Sequence, residues 1–180
     1  MLNLVRVMGD YWHEDRDEVS ALGELVAAAK DLSSVRALDE IQRRLVEFVL
    51  ENDFAATPLV MAVPPGPHRE AHPVPAFAAT VAAALGVDLA DVMTRQNPTA
   101  RLRYTPLEAR QSVVEAAGYT VTGDVSGRSV VLVDDVILTG TTLRHLAALL
   151  SAAGAVDVSA VVVCRTRRSS GPRTAGPATP

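Results

Sequence analysis

The stretch from Val130 to Thr142 constrains the fold of this chain more than any other, and it reads V-V-L-V-D-D-V-I-L-T-G-T-T. Its first four residues are apolar, so a strand formed there is buried on both faces, as in the centre of a parallel sheet. Two adjacent acids, Asp134 and Asp135, then close the strand, and a Thr/Gly turn opens a helix. Open α/β sheets place ligands at the carboxyl ends of their strands. The order of strand, acids, turn and helix therefore predicts a ligand site on a parallel α/β sheet.

The turn after the acids has the composition of an anion-binding loop. Thr139, Gly140, Thr141 and Thr142, called the threonine loop below, offer hydroxyls and backbone N–H groups. The positive end of the following helix adds to the attraction for a phosphate. With acids for sugar hydroxyls or a metal ion, and the loop for a phosphate, the stretch predicts a sugar-phosphate site. The alternative is an ordinary parallel strand whose end is merely polar.

Hydrophobic periodicity along the rest of the chain alternates between strand and helix patterns. Strand patterns cover residues 2–8, 58–63, 87–93 and 156–164, and helix patterns cover 17–30, 36–52, 74–85, 107–117 and the segment around 143–150. This alternation predicts a single α/β domain with a parallel sheet and flanking helices. We expect the domain to span residues 1–168, with an N-terminal strand and helices over 1–56 and the ligand-binding core over 57–168. Residues 169–180, rich in Ser, Gly, Pro and Thr, predict a disordered tail.

Composition excludes several classes of function. The longest apolar runs of the 180 residues are well short of the ~20 needed for a membrane span, and the N-terminus lacks the features of a signal peptide. The single cysteine, Cys164, forms no internal disulfide, which favours a reducing cytoplasm. A net charge of −4 gives no electrostatic footprint for nucleic acid. We therefore expect a cytoplasmic protein that binds neither a membrane nor nucleic acid directly.

The stretch Val130–Thr142 resembles the 5-phosphoribosyl-1-pyrophosphate (PRPP) signature of the type I phosphoribosyltransferases. The resemblance implies that family's fold, with a flexible hood loop, and transfer of a phosphoribosyl group to a nitrogen acceptor with release of pyrophosphate. It implies that Asp134 and Asp135 act in catalysis and hold Mg²⁺ directly or indirectly, and that the threonine loop binds the 5-phosphate. Leu138 departs from the pattern, because purine-salvage members resemble one another in carrying an Asp there. A leucine cannot hydrogen-bond a ring nitrogen.

Two further segments gain a role from the same resemblance. A loop bearing His68 and Arg69 follows the strand at 58–63, where the family places its pyrophosphate-binding loop. Arg95 begins the Arg-rich segment 95–110, which stands in the position of the hood that closes over the reacting centre. The resemblance therefore implies that His68, Arg69 and Arg95 bind substrate. The alternative for each segment is a solvated loop.

A more specific resemblance is to the competence protein F group, amidophosphoribosyltransferase-like proteins linked to DNA uptake. It rests on short motifs at residues 9–11, 25–30, 63–69, 95–99 and 118–119, and on Arg110. That group usually begins with a four-cysteine zinc ribbon, which a chain with one cysteine lacks, and Leu102 and Val113 stand near places where its hood usually has Gln and Asn.

Two functions stay open at this point. One is a phosphoribosyltransferase with an unidentified nitrogen acceptor. The other is a non-catalytic module that senses PRPP or a nucleotide and acts through a protein partner. The acid pair and the threonine loop fit both functions, and the sequence leaves a homodimer open.

Overall fold

The computed structural model describes residues 1–13, 18–30, 34–54, 58–65, 72–97 and 105–167. Its strands are β1 (Leu2–Asp10), β2 (Leu59–Ala62), β3 (Met93–Arg95), β4 (Tyr119–Val121), β5 (Ser129–Ile137) and β6 (Asp157–Arg165). Its helices are α1 (Ala21–Ala29), α2 (Val35–Leu50), α3 (Val74–Leu85), α4 (Arg110–Ala116) and α5 (Thr141–Ala152), and a 3-10 turn at Leu107–Ala109 leads into α4. The alternating order confirms the predicted α/β fold.

The main sheet of the described chain has four parallel strands in the order β1-β6-β5-β2. β5 lies inside the sheet, with β6 on one side and β2 on the other. Its residues Val130 to Val133 are at most 1% exposed. The apolar run singled out in the sequence therefore forms an interior strand, because helices cover both of its faces.

Helices on the two faces of the sheet form two hydrophobic clusters. On one face, α1, α2 and α3 pack with the strand residues Val60, Val131 and Val161. On the other face, α5 packs with Met61, Leu132 and neighbouring strand residues. Because strand side chains alternate between faces, adjacent residues of β5 belong to different clusters. This three-layer arrangement fixes the carboxyl end of β5 between two packed helical layers.

The ends of the helices follow local capping chemistry. The Ser20 and Ser34 side chains accept hydrogen bonds from the Gly23 and Ala37 N–H groups, so α1 begins at Ala21 and α2 at Val35. The sequence pattern placed the start of the first helix too early, at 17. Gly86 ends α3 with a φ of 64°, as its predicted C-cap position requires.

The segment between α3 and β5 differs from the sequence prediction. Within the predicted strand 87–93, Leu89 makes only an isolated parallel bridge to Val60, and strand structure begins at Met93. β3 pairs antiparallel with β4 in a separate two-stranded sheet. Three-residue strands are too short to show an alternating pattern, which explains why the sequence did not indicate this ribbon.

The structure also bears on the remaining expectations for the whole chain. Across the described ranges, no helix is long and apolar enough to cross a membrane. β1 joins the same sheet as the core strands, while the division at residue 56 stays a prediction. The predicted tail at 169–180 lies outside the described residues.

Candidate functional site

The candidate site begins where β2 ends beside β5. The last pair of that ladder is Ala62 with Val133, after which the Val63 N–H donates to the Val133 carbonyl at 2.9 Å. β5 continues alongside β6 as far as Ile137, which pairs with Arg165. In the described chain, the last four residues of β5 are therefore paired on one side only. Such a sheet edge beside a carboxyl end is the place where α/β proteins bind ligands.

Both predicted acids lie on this part of β5. The sequence predicted that they close the strand, but β5 runs three residues past Asp134, to Ile137. The strand is longer because β6 continues to pair with it. Asp135 is only 8% exposed, and its N–H donates to Asp134 Oδ1 at 2.9 Å. In a parallel ladder, that N–H is the next donor toward the side of β2, so the Asp134 carboxylate takes the place of a strand partner.

The two carboxylates lie toward different faces of the sheet, as strand alternation requires. Asp134 is on the α5 face, where its negative charge helps to raise the pKa of Tyr119. Asp135 is on the face of α1 and α3, near Cys164. Burial first, and then the charges of Asp10 and Asp135, raise the pKa of the Cys164 thiol to about 12. Because the two carboxylates lie on opposite faces of the sheet, the repulsion between them when both are ionised is lower.

The threonine loop connects β5 to α5. Gly140 has a φ of 70°, a left-handed conformation that favours glycine, and it directly precedes the first residue of α5. Thr139 Oγ1 and Thr141 Oγ1 lie 2.9 Å apart and share a hydrogen bond. Among the described residues, no side chain caps the N-terminus of α5. The first N–H groups of α5 and the two hydroxyls therefore belong to one loop–helix junction, a kind of junction that can bind anions.

Two arginines hold the backbone and hydroxyl of Thr139. Arg144 Nη1 donates to the Thr139 carbonyl at 2.8 Å. Arg110 Nη1 donates to Thr139 Oγ1 at 3.3 Å, and Arg110 Nε donates to the Thr105 carbonyl at 3.1 Å. Sequence reasoning placed Arg110 in the Arg-rich segment but did not select it as a site residue. Its local sequence pattern gives no sign that this arginine is buried, with only 2% of it exposed.

Arg95 lies near the candidate site, beside the ring of Tyr119. The Arg95 guanidinium carbon lies 5.7 Å from the centroid of the Tyr119 ring. Burial raises the pKa of Tyr119, Arg95 opposes this as the next largest influence, and Asp134 adds to the rise. The Tyr119 ring also lies 6.1 Å from the His145 ring of α5, measured between ring centroids. The β3–β4 ribbon thus places a cation and a phenol on the Asp134 face.

The structure brings together only part of the predicted site. Asp134, Asp135 and residues 139–142 meet at the end of β5, and Arg95 lies beside Tyr119 on the same side as Asp134. His68 and Arg69 lie outside the described residues, as does the middle of the predicted hood, 98–104. Their roles stay predictions.

A parallel sheet flanked by helices, with two acids and a Thr/Gly loop at one carboxyl end, defines an α/β protein of the class that places its ligand sites at strand ends. Residues 66–178 match the phosphoribosyl transferase domain family. Because the match covers more than half of the chain, the protein belongs to that family. A comparison with curated proteins finds no match.

Solved structures show the same fold at low sequence identity. Glutamine phosphoribosylpyrophosphate amidotransferase from B. subtilis is 21% identical with a TM-score of 0.55, and 78% of this chain aligns with 30% of that one. A structure of the allosteric regulatory enzyme of purine biosynthesis is 20% identical with a TM-score of 0.54 and the same coverage. A hypoxanthine phosphoribosyltransferase from Staphylococcus aureus is 17% identical with a TM-score of 0.51, covering 76% of this chain and 71% of that one.

These likenesses establish the type I phosphoribosyltransferase fold. The chain spans about 30% of the length of the amidotransferase and of the allosteric regulatory enzyme.

Proposed function

We propose that the protein binds PRPP and transfers its phosphoribosyl group to a nitrogen acceptor, releasing pyrophosphate. The observation that carries the proposal is the meeting of Asp134, Asp135 and the threonine loop at the open edge of β5, in a chain of the phosphoribosyl transferase family. In this proposal, the loop and the N-terminus of α5 bind the 5-phosphate. The two acids hold the ribose hydroxyls.

The chemistry of these residues suits displacement at the anomeric carbon. The bond from that carbon to pyrophosphate breaks, a bond to the acceptor nitrogen forms, and the nitrogen loses a proton. Departure of pyrophosphate leaves positive charge on the ribose ring, which nearby carboxylates stabilise. Holding the 5-phosphate and the ribose hydroxyls fixes the reacting carbon, so that positioning supplies much of the rate.

Mg²⁺ is the cofactor that we propose. Asp134 and Asp135 offer the oxygen ligands that it prefers. Among the described residues, no group of three or more His, Cys, Asp or Glu side chains could hold a metal ion. This donor set fits a Mg²⁺ ion held by substrate phosphates and water, with one or two carboxylates, as is common for this ion. When bound, it would offset the charge of the leaving pyrophosphate.

The remaining predicted contacts complete the proposal. Arg95, which lies beside Tyr119, supplies positive charge on the Asp134 face. His68 and Arg69 bind pyrophosphate through the loop after β2, on the basis of the family resemblance alone.

A second candidate is a non-catalytic sensor of PRPP or a nucleotide that acts through a protein partner, as the resemblance to the competence protein F group allows. Leu138 favours it. This half-buried leucine separates β5 from the threonine loop, and its side chain can neither donate a hydrogen bond nor accept a proton.

A pyrophosphate-release assay separates the two functions. The protein is incubated with PRPP, Mg²⁺ and a panel of bases, amines and amides, with Asp135→Asn as the matched inactive control. We expect release with one acceptor class and none with hypoxanthine, guanine or adenine, because a buried base nitrogen left unpaired beside Leu138 costs about 1–3 kcal/mol. Turnover of those purines at about 1 per second or faster would refute the acceptor prediction. PRPP binding without any release would favour the sensor.

A further inference from the structure

Arg110 is a buried cation in direct contact with the threonine loop. It is the first residue of α4 and is 2% exposed. Its guanidinium donates from Nη1 to Thr139 Oγ1 and from Nε to the Thr105 carbonyl. Thr105 is itself only 8% exposed. The guanidinium is therefore held from two directions by groups that are far apart in the sequence.

This contact decides which way the Thr139 hydroxyl can donate. A threonine hydroxyl carries one proton and accepts through its lone pairs, whereas an arginine only donates. Because Thr139 Oγ1 accepts from Arg110, its own proton is directed elsewhere. The partner in reach is Thr141 Oγ1 at 2.9 Å, within the same loop. Thr141 Oγ1 then accepts from Thr139, so an anion bound in the loop would meet the Thr141 hydroxyl with its proton available to donate.

The positive charge of Arg110 also favours donation by the Thr139 hydroxyl. A guanidinium stays protonated at any ordinary pH, and its planar geometry loses little freedom when two donors are fixed. A buried positive charge next to a hydroxyl also strengthens that hydroxyl as a donor, since screening by water is weak there. Arg144 differs, because it is exposed and its contact is with the Thr139 carbonyl.

We propose that Arg110 is a positioning residue of the phosphate subsite: it orients and polarises the Thr139 hydroxyl, which donates to Thr141 Oγ1 and leaves the Thr141 proton to donate to the bound 5-phosphate. The Thr105 carbonyl, which accepts from Arg110 Nε, holds the guanidinium beside the loop. This role rests on the proposed function, since it assumes that the threonine loop binds the phosphate of PRPP. It adds to the site a residue that neither the acid pair nor the loop motif contains.

A double-mutant cycle with ribose 5-phosphate as the probe tests this role by calorimetry. The proteins are wild type, Arg110→Gln, Thr139→Val and the double variant. We expect each single substitution to weaken binding about tenfold, the order of effect for one charge-assisted hydrogen bond. The double variant should bind about as weakly as Thr139→Val alone, because Arg110 acts through the hydroxyl that is already gone. If the losses of affinity in the two single variants instead multiply in the double variant, the proposal is overturned.

Two further variants separate positioning from folding. Arg110→Lys keeps the charge and a donor, so it should bind ribose 5-phosphate more tightly than Arg110→Gln even if both lower the melting temperature equally. Equal affinities for the two variants would contradict the role. Arg128→Gln, an exposed substitution before β5, should bind like wild type.

Failure of the two proposals gives different results. If wild-type protein does not bind ribose 5-phosphate, the phosphate subsite is wrong, and the role of Arg110 is wrong with it. If wild type binds and Thr139→Val weakens binding while the Arg110 variants bind like wild type, the subsite stands and only the role of Arg110 is overturned.

Discussion

At the scale of single residues, the site is built from hydrogen bonds that a linear motif does not contain. The Asp134 carboxylate accepts from the Asp135 N–H, and the Thr139 and Thr141 hydroxyls pair with each other. The two paired hydroxyls use one of their two protons between them, so one hydroxyl can donate to a ligand. The residues are thus already arranged before a ligand arrives, which lowers the cost of binding.

Thr141 provides a direct test at this scale. Thr141→Val keeps the shape of the side chain but removes the hydroxyl, so we expect binding of ribose 5-phosphate to weaken by about 1–3 kcal/mol. Thr141→Ser keeps the hydroxyl and should bind nearly as tightly as wild type. Calorimetry under identical conditions compares the three proteins. A valine variant that binds like wild type would show that this hydroxyl does not contact the phosphate.

At the scale of elements, the strand–loop–helix unit of β5 and α5 was predictable, whereas its surroundings were not. A long apolar run and a Gly-containing turn carry their structure in the local sequence, and both formed as predicted. The extension of β5 past the acids depends on β6, and the β3–β4 ribbon depends on pairing across more than twenty residues. The contact of Arg110 with Thr139 spans 29 positions. Contacts between residues so far apart in the sequence do not change the local hydrophobic periodicity, so the sequence pattern could not predict them.

Gly140 tests whether the loop needs its left-handed turn. A Cβ added there would lie 3.3 Å from Arg144 Nη1 and from Ile137 Cδ1, and φ is 70°. Gly127 is a matched control, since its φ is 68° and an added Cβ would meet nothing within 4 Å.

Both Gly140→Ala and Gly127→Ala should lower the free energy of unfolding by about 1 kcal/mol or more through backbone strain. Only Gly140→Ala should also weaken binding of ribose 5-phosphate. Urea unfolding and calorimetry measure the two effects, and equal ligand affinity in both variants would mean that the loop tolerates a shifted backbone.

At the scale of the whole molecule, the first and last strands of the described chain lie side by side. β1 pairs with β6 from Leu2 to Asp10. On one face of the sheet, the buried residues of α1 and α2 share a hydrophobic cluster with those of α3 and the strands. The N-terminal portion therefore packs with the strands and helices that follow it, and we expect the two portions to unfold together.

Ile41 tests that expectation. It is 0% exposed in the middle of α2, so Ile41→Ala should lower the free energy of unfolding by about 2–5 kcal/mol. Leu50→Ala, at a position 67% exposed, should change it by no more than about 0.5 kcal/mol. Unfolding followed by Trp12 fluorescence and by circular dichroism should give one coincident transition in each protein. Two separate transitions would show that the N-terminal portion is a unit of its own.

The central claim is that the open edge of β5 is a PRPP site, and a calorimetric titration of PRPP with and without Mg²⁺ tests it most directly. We predict binding of one PRPP per chain that Mg²⁺ strengthens, and weaker binding for Asp134→Asn and for Asp135→Asn. Each substitution removes a negative charge from the site while keeping the size of the side chain. Wild-type protein that does not bind PRPP, or binding that neither substitution alters, would contradict the claim.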